Sequence, residues 1–97
     1  MEIKINVYAD CSSAEPSKTF VIRRILFKTA KELGTLQDEA QKAEAEDQEK
    51  YTLKMLQCIL PDFKEEDLNG VDPMELGAFF RELGTEVAKV VAEAQKN

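Results

Sequence analysis

The sequence predicts an α+β fold, with an N-terminal two-stranded β-hairpin followed by a bundle of three to four helices. Three observations carry that expectation. Residues Glu2 to Tyr8 alternate strictly between polar and apolar, the period lengthens to a helical one from Leu26, and the last quarter of the chain joins complete helix-start signals to an apolar stripe. A chain of 97 residues has room for one domain with one modest core. Within it, residues 1–25 form the hairpin and residues 26–97 the helical part.

In the first strand Ile3, Ile5 and Val7 share one face, and Glu2, Lys4 and Asn6 share the other, the pattern of a half-buried strand. The stretch Cys11 to Ser17 is polar and contains Pro16, which marks a connection. Thr19 to Ile25 is rich in β-branched and aromatic residues and reads as the second strand, antiparallel to the first. Two strands are marginal in water, so this hairpin needs a helix beneath it or a strand from elsewhere. Its unpaired edge is a docking site for another chain in waiting.

Leu26, Ala30, Leu33, Leu36 and Ala40 suggest a first helix, weakened at Gly34; Thr35 offers the alternative of a cap on a fresh helix. Residues 38–50 hold six acids, two lysines and no large apolar anchor. They read as a helical arm with a frayed end, or as a mobile connection. Leu53, Met55, Leu56, Ile59 and Leu60 restore a core pattern, with Cys58 as a small core residue among them. Pro61 stops that helix or opens the next turn, Asp62 offers a cap for a short turn anchored by Leu68, and Asn69-Gly70 supplies a left-handed terminator.

The closing helix has the fullest start. Asp72 stands at the N-cap, Pro73 at N1 and Glu75 at N3 of a capping box, while Val71 and Leu76 form a hydrophobic staple. Leu76, Phe79, Phe80, Leu83, Val87, Val90, Val91 and Ala94 then fill an arc of roughly 120°, the width of a core-facing stripe. Glu75, Glu82, Glu86, Lys89 and Glu93 are placed on the solvent side. Gly77, Gly84 and Ala88 line one edge of the arc.

The formal charge of −6 disfavours nonspecific binding to phosphate backbones, so nucleic acid is not an expected partner. The charge is also polarised. Residues 1–31 carry six basic groups against three acids, a balance of +3, which leaves seven basic and sixteen acidic groups, a balance of −9, in the rest. Such a chain can meet another copy, or a partner, electrostatically. No apolar run is long enough for a membrane span, and the start lacks the pattern of a signal peptide, which points to the cytoplasm. Cys11 and Cys58 are read as reduced thiols.

Chemistry is hard to place. The chain has no histidine, no Cys-x-x-Cys pair and no glycine-rich phosphate loop, so no cofactor or metal is expected. Its carboxylates lie in runs such as Glu65-Glu66-Asp67 that read as solvated faces. The expectation is therefore a binding protein and not an enzyme. Candidate contact residues are Arg23 and Arg24, one on each face of the second strand, and Phe80 and Gly84 on the small-residue edge of the last helix. Salt bridges from the arginines to the acidic helices, and tight packing of the glycine edge within the chain, are the expected structural uses.

Several strings occur in a telling order: Ile3-Lys4-Ile5-Asn6-Val7-Tyr8, Lys18-Thr19-Phe20-Val21-Ile22-Arg23-Arg24, Ile59-Leu60-Pro61-Asp62-Phe63-Lys64-Glu65-Glu66-Asp67-Leu68, then Val71-Asp72-Pro73-Met74-Glu75-Leu76 and Phe79-Phe80. Their order resembles the small tail assembly chaperones of long-tailed, siphovirus-type phages and of prophages in Gram-positive bacteria. The resemblance covers nearly the whole chain through structural residues, not a catalytic motif. It departs after Arg24, where Leu26-Phe27 stands in place of a small polar helix cap. It implies a non-enzymatic helper in the host cell cytoplasm that binds the tape-measure protein, keeps it soluble, recruits tail-tube protein and is absent from the mature virion. It also implies a longer product made by ribosomal frameshifting, with which the ending Gln95-Lys96-Asn97 is compatible. A small acidic regulatory adaptor for a basic partner, or a structural tail or head-completion protein, are the alternative expectations.

Overall fold

A computed structural model describes residues 1–96; Asn97, the last residue of the ending tied to frameshifting, lies outside the described residues. The expected order is present. Strands β1 (Ile3–Val7) and β2 (Lys18–Ile22) precede helices α1 (Phe27–Lys42), α2 (Gln48–Ile59), α3 (Glu65–Leu68) and α4 (Pro73–Lys96), with a 3-10 turn at Ala45–Asp47. The strands pair antiparallel, with Ile3 opposite Ile22, Ile5 opposite Phe20 and Val7 opposite Lys18. Both strands are shorter than the sequence pattern suggests. Ile25 lies beyond β2 but is buried all the same.

Alternation puts Ile3, Ile5 and Val7 into the core, where they meet Ile22, Leu33, Leu56, Phe63, Phe79 and Leu83 in one apolar cluster. The loop joining the strands is organised by Asp10, whose carboxylate accepts from the Ser12 N–H and hydroxyl at 2.9 and 2.7 Å. These bonds hold the Asp10 carboxyl below its usual range. Such side-chain-to-backbone closure is how Asp and Ser stabilise turns.

Helix α1 runs unbroken through Gly34, and Thr35 does not cap a new helix; its hydroxyl bonds back to the Lys31 carbonyl at 3.2 Å. The helix starts without a side-chain cap at Leu26, and both Leu26 and Phe27 stay about half exposed, so Leu26 is not a core residue. Residues 38–50 are not a free arm. Ala40 is buried and anchors the last turns of α1, and the Gln48 amide then donates to the Ala40 and Ala43 carbonyls at 2.6 and 3.2 Å. That amide satisfies carbonyls the helix end leaves open, and it turns the chain into α2, which packs back along α1.

After α2 the chain reverses at Pro61, and the Gln57 amide holds the reversal by donating to the Phe63 carbonyl at 3.0 Å. Phe63 is 1% exposed, and its ring lies 5.1 Å from that of Phe20, which binds the short α3 region to the hairpin. Asp62 does not cap α3. Asp67 does the work from inside the turn, accepting from the Lys64 N–H at 2.9 Å. Gly70 is not a left-handed terminator either, because no described residue has positive φ. It is there for room: a Cβ on Gly70 would sit 2.7 Å from the Tyr8 carbonyl oxygen and 2.7 Å from Val7 Cγ1. The Tyr8 N–H donates to the Gly70 carbonyl at 2.7 Å and ties the end of β1 to the start of α4.

Helix α4 begins as the sequence predicts at Asp72, whose carboxylate accepts from the Met74 N–H at 2.8 Å. Glu75 departs from expectation. It neither completes the capping box nor faces solvent, but accepts from Asn6 Nδ2 at 3.1 Å and the Tyr8 hydroxyl at 2.8 Å. Thr19 donates to Asn6 at 2.8 Å, so one polar chain runs from β2 across β1 to α4. Of the α4 stripe, Phe79 and Leu83 are fully buried, Leu76, Phe80, Val87, Val90 and Val91 are partly buried, and Ala94 is exposed.

Candidate functional site

The predicted contact residues fall on two separate surfaces. Phe80 and Gly84 lie one helical turn apart along the edge of α4, as their spacing requires. Gly77, Gly84 and Ala88 are all exposed, and a Cβ at Gly77 or Gly84 would meet nothing within 4 Å. The expected tight packing of this edge within the chain is therefore not made. What remains is a shallow strip of small residues flanked by the partly buried Phe80, Val87 and Val91. Phe80 is held at its buried side by Phe79, with ring centroids 5.5 Å apart in an edge-to-face arrangement. A second helix laid on this strip can bring its backbone close and cover apolar surface that α4 does not bury.

Arg23 and Arg24 sit just past β2, both exposed. Among the described residues neither has an ion pair to an acidic helix, contrary to expectation. Arg23 reaches Glu2, just before β1, at 3.9 Å, a long contact between exposed groups worth little. The β2 edge beside them is open. Because the Tyr8 N–H points away from β2, alternation along the pair turns Asn6 and Lys4 outward on β1, and Thr19 and Val21 outward on β2. No backbone bond from another element reaches Thr19 or Val21 among the described residues. Gly70 closes the end of the β1 edge, so the two edges of the hairpin are unequal.

Two polar features escaped the sequence reading. Asp67 is 3% exposed and is not part of a solvated face. Burial pushes its carboxyl up, but the hydrogen bond from Lys18, the Lys64 N–H and the charges of both lysines outweigh that and hold it below the usual range. Lys18 Nζ lies 2.9 Å from Asp67 Oδ1, and its own pKa is raised by that bond and charge. The Tyr8 hydroxyl is likewise pushed up, chiefly by its bond to Glu75. Partners separated by 49 and 67 residues leave no local signal.

Cys58 is half-buried beside Glu32, donating to its Oε2 at 3.0 Å. Burial and the facing carboxylate raise its thiol to about 11, which keeps it protonated and unreactive near neutral pH. It is a partner of Glu32 as much as a core residue. Among the described residues no group of three or more His, Cys, Asp or Glu is placed to hold a metal ion, and no helix is long and apolar enough to cross a membrane. A groove of about 660 Å³ between the β1–β2 loop and the α3–α4 connection is lined by Asp10, Glu66, Asp72 and Glu75, with no basic group on its walls. No protein-family model, curated protein or solved structure matches this chain.

Proposed function

We propose that this chain is a non-enzymatic protein-binding module, and specifically a tail assembly chaperone of a long-tailed phage or prophage. In this reading it binds the tape-measure protein in the host cytoplasm, keeps its apolar helical segments soluble, recruits tail-tube subunits and is left out of the virion. The observation that carries the binding role is the unfilled edge of α4, where Gly77 and Gly84 face open space beside the partly buried Phe80, Val87 and Val91. A small domain ordinarily fills such an edge from within; an unfilled one fits a helix supplied from outside. The particular partners come from the resemblance of the quoted strings.

Mechanistically the contact is shallow and mainly apolar. Each copy covers a short length of partner helix, and the unpaired β2 edge with Arg23 and Arg24 offers a second point of attachment. Many weak contacts along one long chain gain avidity and still release when the tube displaces them. Co-expression with a tape-measure protein of a long-tailed phage or prophage tests the proposal. Raised solubility and co-purification are the expected results; unchanged solubility with no co-purification would refute it. A second reading, an acidic adaptor for a basic partner, is favoured by the acid-lined groove at Asp10, Glu66, Asp72 and Glu75. It predicts binding that weakens steeply with salt, whereas the apolar α4 contact holds up better.

A further inference from the structure

Strand β2 is paired with β1 along one side and with no other strand along the opposite side. The backbone groups of Phe20 and Ile22 face β1, whereas those of Thr19 and Val21 face outward, and no backbone bond from another element reaches them among the described residues. The end of the β1 edge, by contrast, is closed by the Gly70 carbonyl. A row of unpaired N–H and C=O groups is a template for one more strand. Phe20 is also incompletely covered: its ring meets that of Phe63 at 5.1 Å, yet the residue stays only partly buried.

The charge along this edge is of one sign. Residues 16–31 hold Lys18, Arg23, Arg24, Lys28 and Lys31 and no acid, in a chain whose formal charge is −6. Lys18 is taken by the buried Asp67. Among the described residues Arg24 has no carboxylate within ion-pair distance, and Arg23 has the long contact to Glu2 alone. A second copy of β2 would bring the same cations and no acid, so pairing of copies here would set like charges side by side.

We propose that the β2 edge accepts an extended segment of a partner protein as a third strand, and that this segment alternates acidic and apolar residues. Side chains opposite Phe20 and Ile22 share the core face, so apolar ones there add cover to Phe20. Side chains opposite Thr19 and Val21 share the outer face, where carboxylates can reach the exposed arginine just past the strand. Thr19 and Val21 supply the backbone bonds, and Arg23 and Arg24 select an acidic strand over a neutral one. The inference gives the chemistry of the second attachment point and rests on the protein-binding reading, but not on the tape-measure protein or on the α4 edge.

The probe is a blocked peptide, Thr-Glu-Val-Glu-Val-Glu-Thr, titrated into the full chain at low salt and followed by amide NMR. The expected result is saturable binding with slowed hydrogen exchange at the Thr19 and Val21 N–H groups. Lysines in place of the peptide's glutamates should abolish binding, and about 0.3 M salt should weaken it. Arg23→Gln with Arg24→Gln should weaken it at least about fivefold. Val21→Pro removes an outward donor and no bond to β1, so this variant, checked as folded by circular dichroism, should lose the binding. No binding would leave the arginines as mere guards of the edge, and binding without protection at Thr19 and Val21 would be plain charge attraction; either overturns the proposal. So does full binding by a folded Val21→Pro variant, or protection of the edge amides by a second copy in the free protein. The peptide contains nothing of a tape-measure protein, so failure here is distinct from failure of the co-expression test.

Discussion

Asp67→Asn is the substitution that separates a buried structural carboxylate from a surface acid. In the wild type Oδ1 accepts from Lys18 and Oδ2 from the Lys64 N–H, each at 2.9 Å. An asparagine keeps one acceptor oxygen and turns an NH2 group towards the other donor, so one donor loses its partner and two donors face each other. Losing the cap-like bond at Lys64 costs about 1 kcal/mol. The charged bond is discounted for solvent screening, because the Lys18 side chain is 54% exposed, and the whole loss at Asp67 comes to about 2 kcal/mol. For a chain of this size that lowers Tm by about 8–16 °C. Thermal and urea unfolding of the two proteins at pH 7 measure it. The pH dependence follows from the lowered carboxyl: the wild-type advantage is fully present above the unfolded-state value of about 3.9 and is lost as pH falls through the lower folded-state value. A Tm within about 2 °C of wild type at pH 7, or a difference that persists unchanged at acid pH, would refute the reasoning.

Three further outcomes are expected. Gly70→Ala drives a Cβ against the Tyr8 carbonyl oxygen and Val7 Cγ1, both at 2.7 Å, and should cost about 1–3 kcal/mol in urea unfolding; an unchanged midpoint would mean that the β1 end yields freely. In a spectrophotometric titration Tyr8 should ionise above the ordinary tyrosine value, and Glu75→Gln should bring it down, because it removes the carboxylate that accepts the hydroxyl proton; no change on Glu75→Gln would contradict the bond. Alkylation at pH 8 followed by peptide mass spectrometry should label the exposed Cys11 well before Cys58, whose thiol is raised to about 11; equal labelling would show that Cys58 is neither shielded nor paired with Glu32.

The fold was legible where a single element decides its own conformation. Ile3, Ile5 and Val7 announce β1 because a period of two leaves no other buried face, and Asp72-Pro73 announces α4 because a cap acts within one turn. What the sequence did not disclose depends on groups far apart along the chain. Glu75 has the spacing of a capping box, but Asn6 and Tyr8 compete for its oxygens and win. Asp67 has the neighbours of a surface acid until Lys18 is brought beside it by the hairpin. Asn69-Gly70 has the composition of a left-handed stop, yet the need there is clearance for β1. Residues 38–50 look unanchored because Ala40 is small, and only the return of α2 makes a small residue the right one. Of the candidate contacts, Phe80 and Gly84 could be read from helical spacing, whereas which edge of the hairpin stays open could not, since the distant Gly70 closes the end of the other.

The proposed docking of a partner helix on the unfilled edge of α4 is tested at Gly84 with two substitutions. Gly84→Ala has open space around it and removes a helix-interior glycine, so it should stabilise the chain by about 0.5–1 kcal/mol. Gly84→Arg also leaves the fold intact, but it fills the strip that a partner backbone would approach. Co-purification with the tape-measure protein, compared between wild type and Gly84→Arg at equal expression, is the decisive reading. Capture by the wild type and its loss in a folded Gly84→Arg variant are the expected results; capture undiminished by the arginine would contradict docking on this edge.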